Sequence, residues 1–203
     1  MALVVFTGGA RSGKSAAAQS LARCRALDGV SVVAVVFAVV GDDAEMADRV
    51  ARHRAARPAD FVAVEASDSH SALDGVGPQS LLLLDCLGTL VGMVMTEEWP
   101  ADAEGHDLLE AGSDLPLGYA QAVETRVDEL VNAICHRPGD AIVVTNEVGD
   151  GVVPAYGSGR LFRDVLGRAN RALTSRADRA YLTVCGRLVD LSALPVSPAW
   201  PED

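Results

Sequence analysis

Thr7-Gly8-Gly9-Ala10-Arg11-Ser12-Gly13-Lys14-Ser15 decides the reading of this chain. From Gly8 onward it matches G-x-x-x-x-G-K-[ST], the glycine-rich loop whose backbone N–H groups cradle phosphates. Lys14 is the only lysine in the sequence, every other basic side chain being Arg or His. A compact ammonium reaches between the β- and γ-phosphates, where a broad planar guanidinium does not fit. Ahead of the loop, Ala2–Phe6 is a short apolar run that reads as a buried strand. Behind it, Ser15–Leu27 is alanine-rich without Gly or Pro and reads as a helix. A strand–loop–helix of this kind aims free N–H groups and the positive end of a helix dipole at the phosphates. Gly8, Gly9, Ala10, Arg11, Ser12, Gly13, Lys14 and Ser15 are therefore expected to hold a nucleoside triphosphate, with the Ser15 hydroxyl on Mg²⁺.

Working outward, strand-like runs recur at Val32–Phe37, Leu81–Leu84, Ala141–Thr145 and Ala180–Val184, with a further edge strand at Phe61–Val64. Helices are expected at Asp43–Ala56, Gly118–Cys135 and Gly159–Arg176. Continuous apolar strands alternating with helices indicate a mostly parallel sheet covered on both faces. The expectation is an α/β, single-domain P-loop NTPase of RecA-like type. It occupies residues 1–192, with a surface excursion over Thr96–Pro116 and a loosely held tail over 193–203.

Composition narrows the function. At 203 residues the chain suits one core, and its net charge of −11 argues against a nucleic-acid partner, because such binding rests on basic residues. The apolar stretches Val30–Val40 and Leu81–Met95 fall short of the roughly 20 residues of a membrane helix, so no membrane insertion is expected. No basic-then-apolar leader opens the chain, and Cys24, Cys86, Cys135 and Cys185 form no C-x-x-C pair. Reduced, mostly buried thiols in a cytoplasmic protein are the expectation.

Ligands of such a sheet sit beyond the carboxyl ends of its strands. That rule selects the P-loop, the Phe37-Ala38-Val39 exit, Asp85 after four leucines, and Asn146-Glu147 after Val143-Val144-Thr145. Asp85 has the Walker B placement, a carboxylate at a strand tip beside Mg²⁺, although such a residue can also merely cap a helix. Here the metal role is favoured because a P-loop accompanies it.

The segment Asp42–Pro58 is the second informative stretch. Arg49, His53 and Arg57 are spaced by four and share a helix face. Acidic residues at its start and arginines at its end also suit the helix dipole, so His53 can be simply a solvated residue. Alternatively the arginines hold a polyphosphate while His53 acts. Neighbouring cations disfavour the protonated imidazole and leave a neutral ring nitrogen to attack or take a proton. The helix alone leaves both readings open. His70, His106 and His136 lie in polar, loop-like surroundings and read as surface residues.

Taken in order, these motifs resemble the bifunctional adenosylcobinamide kinase / adenosylcobinamide-phosphate guanylyltransferase family of cobalamin biosynthesis. The resemblance rests on Thr7–Ser15, Asp43-Ala44-Glu45-Met46, His53-Arg54-Ala55-Ala56-Arg57-Pro58, Glu65 and Asp85-Cys86-Leu87. It continues through Asn146-Glu147-Val148-Gly149, Gly151–Pro154, Phe162-Arg163-Asp164, Gly167 and Asn170. It implies phosphorylation of adenosylcobinamide by ATP or GTP, then transfer of GMP from GTP to adenosylcobinamide phosphate through a guanylylated histidine. His53 and Lys14 would be the catalytic residues. By the same likeness, Phe37, Ala38, Val39, Arg54, Ala55, Ala56, Arg57, Glu65 and Asp85 would contact GTP, Ser15 and Asp85 would hold Mg²⁺, and the protein would be a homo-oligomer, with a trimer its candidate form. The chain departs from the family pattern where Val36–Val39 lacks a hydroxyl, and at Gly88-Thr89 and Met93.

Rival readings explain less. A plain small-molecule or nucleotide kinase accounts for Lys14, Ser15 and Asp85 but leaves His53 and Asn146-Glu147 without a role. A GTP switch would need an Asn-Lys-x-Asp motif, which a chain with lysine only at position 14 lacks. Nothing suggests the nucleic-acid or polypeptide track of a motor subunit.

Overall fold

The computed structural model describes residues 1–37, 58–101 and 114–197. Within them lie seven strands: β1 (Leu3–Thr7), β2 (Val32–Phe37), β3 (Val62–Ala66), β4 (Leu81–Asp85), β5 (Ala141–Val144), β6 (Arg179–Val184) and β7 (Arg187–Asp190). The described helices are α1 (Lys14–Leu27), α2 (Leu87–Glu97), α3 (Tyr119–His136) and α4 (Gly157–Thr174), with a short 3₁₀ turn at Leu191–Ala193. The expected helix Asp43–Ala56 lies outside the described residues.

The strands form one sheet in the order β3-β2-β4-β5-β1-β6-β7, and every neighbouring pair is parallel except β6 with β7. This is the expected α/β P-loop architecture. One strand, β5, separates P-loop strand β1 from β4, which carries Asp85. Parallel strands buried on both faces explain the unbroken apolar runs. In β4, Leu81 and Leu83 join Phe6, Ala34 and Ile142 against α1, while Leu82 and Leu84 join Leu3, Val5 and Val143 against α2, α3 and α4. Ala18 and Ala22, fully buried on α1, let that helix lie close to the sheet. The helix ends at Asp28 and Gly29, the latter at φ 85°, with Arg25 in its last turn bonded to Asp140 at 3.1 Å.

Two elements differ from the sequence reading. The Leu81–Met95 stretch is a strand and then a helix, α2, which buries Leu87, Leu90, Val91, Met93, Val94 and Met95. Its almost continuous burial hides the helical period that would have announced it. Strand β7 is short and exposed, joined to β6 through a two-residue turn at Cys185-Gly186. All four cysteines are free thiols, but Cys24 and Cys185 are exposed rather than buried. His70 is exposed as expected, and His136 is the last residue of α3, its Nδ1 2.8 Å from the Asn132 carbonyl.

The Tyr119 hydroxyl, at the start of α3, donates to the Met95 carbonyl at 2.7 Å, and the ring meets Trp99 edge-on with centroids 5.0 Å apart. Burial first, and Glu98 second, push its pKa up to about 12. An unfolded tyrosine ionises near 10, so the folded form holds a proton that the unfolded chain releases. The stability this contributes is complete below pH 10 and is lost as pH rises towards about 12. Urea midpoints across that range should fall more steeply for the native chain than for Tyr119→Phe. That variant should also lose about 1 kcal/mol at neutral pH, the ordinary net worth of one hydrogen bond.

Candidate functional site

Residues Gly8–Gly13 turn from β1 into α1, and their course is dictated by β6 behind them. Gly8 has φ 148°, and a Cβ there would lie 2.4 Å from the Thr183 carbonyl oxygen, so no side chain fits. Gly13 has φ 100° and lies against Gly186, whose N–H donates to the Ser12 carbonyl at 2.8 Å. Arg11, at φ 56°, is the loop's one non-glycine residue in the left-handed region. The Lys14 ammonium folds over the loop and donates to the Gly9 carbonyl at 3.0 Å, the residue itself only 8% exposed. Helix α1 has no acidic residue in its first turn, so its positive end is not neutralised by its own side chains. The Ser12 hydroxyl is buried inside the loop without a hydrogen-bond partner among the described residues.

Ser15, one residue past the lysine, donates its hydroxyl hydrogen to Asp85 Oδ1 at 3.2 Å. Strand β5 separates β1 from β4, yet the loop and the tip of β4 meet through this pair. The loop and the tip of β4, which the sequence expects to share a ligand, are thus adjacent. Asp85 is followed through a cis peptide by Cys86, whose Sγ lies 3.3 Å from Thr89 Oγ1.

Other expected contacts lie further along the same edge. Phe37 ends β2 with its side chain 4% exposed, within the core. Glu65 is exposed on β3, paired with Val36 in the β2–β3 ladder. Four strand spacings of about 4.8 Å separate β3 from β1, roughly 19 Å in all. A nucleotide that met both Glu65 and Lys14 would therefore lie extended across the strand tips. Ala38, Val39, His53, Arg54, Ala55, Ala56 and Arg57 lie outside the described residues.

The tip of β5 is the part that sequence reading underused. Asn146-Glu147 is the expected ligand-facing exit of that strand, and its constraints are tertiary. Glu147 N–H donates to the Gly8 carbonyl at 3.1 Å, which ties this tip to the first residue of the phosphate loop. Helix α4 holds the tip from the other side, with Asn170 Nδ2 donating to the Asn146 carbonyl at 2.9 Å and Arg163 donating to the Gly149 carbonyl at 2.7 Å. The Thr145 hydroxyl donates to Asn170 Oδ1 at 2.6 Å, so the buried amide is satisfied at both ends. A Cβ at Gly88 would lie 3.3 Å from Asn146 Nδ2, so the glycine leaves that amide its room.

The family model described as cobinamide kinase / cobinamide phosphate guanyltransferase matches residues 4–191. The chain belongs to that family. Among curated relatives, the bifunctional adenosylcobalamin biosynthesis protein CobU of Escherichia coli is 32% identical over 194 residues, covering 91% of this chain and 96% of its own. CobU of Salmonella typhimurium is 32% identical over 188 residues, with the same 91% and 96% coverage. The bifunctional adenosylcobalamin biosynthesis protein CobP of Pseudomonas aeruginosa is 33% identical over 196 residues, covering 95% and 98%. The family match runs from β1 through β7, so the phosphate loop, Asp85 and the β5 tip all fall inside it. No helix among the described residues is long and apolar enough to cross a membrane.

Proposed function

We propose that this chain phosphorylates the aminopropanol hydroxyl of adenosylcobinamide and then transfers GMP from GTP to the resulting phosphate, with His53 as the guanylylated residue. The observation that carries the reading is the Ser15–Asp85 pair at 3.2 Å beside a folded phosphate loop, in a chain of this family. In the first reaction the hydroxyl oxygen bonds to the γ-phosphorus and the bond to the bridging oxygen breaks. A nucleoside diphosphate leaves. In the second, a neutral His53 nitrogen bonds to the α-phosphorus of GTP and pyrophosphate leaves. A phosphate oxygen of adenosylcobinamide phosphate then displaces the imidazole, giving adenosylcobinamide-GDP.

Both reactions place a β,γ-phosphate unit in the same loop. Lys14 and the α1 terminus neutralise the charge that builds on it, which is most of what phosphoryl transfer asks of a protein. Ser15 Oγ and Asp85 Oδ1 are hard oxygen donors suited to Mg²⁺, which takes few protein ligands and completes its shell with phosphates and water. Among the described residues no cluster of three or more His, Cys, Asp or Glu side chains offers an all-protein cage instead. When bound, Mg²⁺ supplies charge neutralisation at the bridging and terminal oxygens. A homo-oligomer in the cytoplasm completes the proposal, on the family likeness alone.

The test is direct. Purified protein with adenosylcobinamide, Mg²⁺ and ATP or GTP should give the corrinoid monophosphate, and with GTP the GDP derivative, both resolved by mass. Formation of neither product, with nucleotide bound, would defeat the proposal.

A further inference from the structure

The β1–β5 ladder does not stop where the strands do. Thr145 N–H donates to the Phe6 carbonyl at 2.9 Å, and two residues on Glu147 N–H donates to the Gly8 carbonyl at 3.1 Å. Glu147 is thereby held in register with the first glycine of the phosphate loop, just past the end of the strand that lies between the one leading to Lys14 and the one ending in Asp85. Asn170 and Arg163 pin the carbonyls on either side of it. Its side chain is exposed, with Oε1 accepting from Gly149 N–H at 3.0 Å. A rigid backbone thus carries a solvent-facing carboxylate oriented through one oxygen, as acid–base groups require. The other described carboxylates along this edge are worse placed. Asp85 is bonded to Ser15, and Glu65 lies on β3, three strands beyond β5.

We propose that Glu147 orients the acceptor hydroxyl and takes its proton in the kinase half of the reaction, an inference that rests on the function proposed above. As the hydroxyl oxygen bonds to the γ-phosphorus and the nucleoside diphosphate leaves with the bridging oxygen, the hydroxyl proton passes to the Glu147 carboxylate and then to solvent. Guanylyl transfer uses a phosphate oxygen as acceptor and has no such proton to remove, so Glu147 should matter to one reaction only.

The experiment compares Glu147→Gln, Glu147→Asp and Asp150→Asn with the native chain. In Glu147→Gln, kcat for adenosylcobinamide phosphorylation should fall about 10²–10³-fold, within the range of general-base effects. The nucleotide KM, the affinity for a fluorescent GTP analogue, and GMP transfer to pre-formed adenosylcobinamide phosphate should stay within about threefold of native. Glu147→Asp should recover part of the rate, and Asp150→Asn should behave as native. A kinase rate in Glu147→Gln within threefold of native overturns the assignment. So does loss of nucleotide affinity or of GMP transfer alongside the kinase rate, which would make Glu147 a support for Gly8. A native chain that phosphorylates no corrinoid is a different result, and removes the functional reading together with this inference.

Discussion

Lys14→Ala should abolish both reactions, each falling by at least about 10²–10³-fold, the loss seen when one preorganised charge-stabilising donor is removed. The size of the effect follows from geometry. Lys14 is almost fully buried against its own loop, and its ammonium already reaches over the loop to the Gly9 carbonyl. No other lysine exists in the chain to take its place. Lys14→Arg should rescue little, because a planar guanidinium cannot occupy the compact position the ammonium fills. Phosphorylation of adenosylcobinamide and GMP transfer, measured separately, should both vanish, while circular dichroism shows an intact fold. Normal turnover of GTP by a folded Lys14→Ala protein would overthrow the phosphate-loop assignment.

How much of this was legible beforehand depends on where each residue's constraint comes from. The phosphate loop could be read at once, because Gly8 and Gly13 are required by local backbone geometry and by the close approach of β6. Strands β2, β4 and β5 were legible for a related reason: burial on both faces leaves an unbroken apolar run, and Asp85 ends one abruptly. The same rule concealed α2, since a helix buried on most sides has the composition of a strand. Strand β7 has the opposite problem, being a four-residue edge with exposed side chains and no pattern to detect. The β5 tip shows a third limit. Nothing in Asn146-Glu147 announces that one N–H will bond to Gly8 or that Asn170, distant in sequence, will hold the other residue's carbonyl. Those constraints are tertiary and become visible only when the sheet order is known.

His53→Asn should separate the two reactions. Asparagine leaves no ring nitrogen to attack the α-phosphorus, so GMP transfer should fall to the uncatalysed background. Phosphorylation of adenosylcobinamide needs no covalent enzyme intermediate and should largely survive, because the loop, Ser15 and Asp85 are untouched. Equal loss of both in a folded mutant would instead point to a shared binding role for His53. The native chain offers a sharper reading of the same bond. With Mg²⁺ and GTP labelled at the α-phosphorus, label should remain on the protein as pyrophosphate is released, and γ-label should not. A phosphoramidate on His53 is lost in acid and survives alkali, whereas an acyl phosphate on Asp85 or Glu65 would be lost in alkali. On the proposed function, Arg57→Ala should slow the labelling with His53 still present, because an arginine's fixed fork would draw the phosphates toward the ring and spread the charge developing on them. Absence of any covalent α-label on the native chain would leave the phosphate loop with kinase chemistry alone.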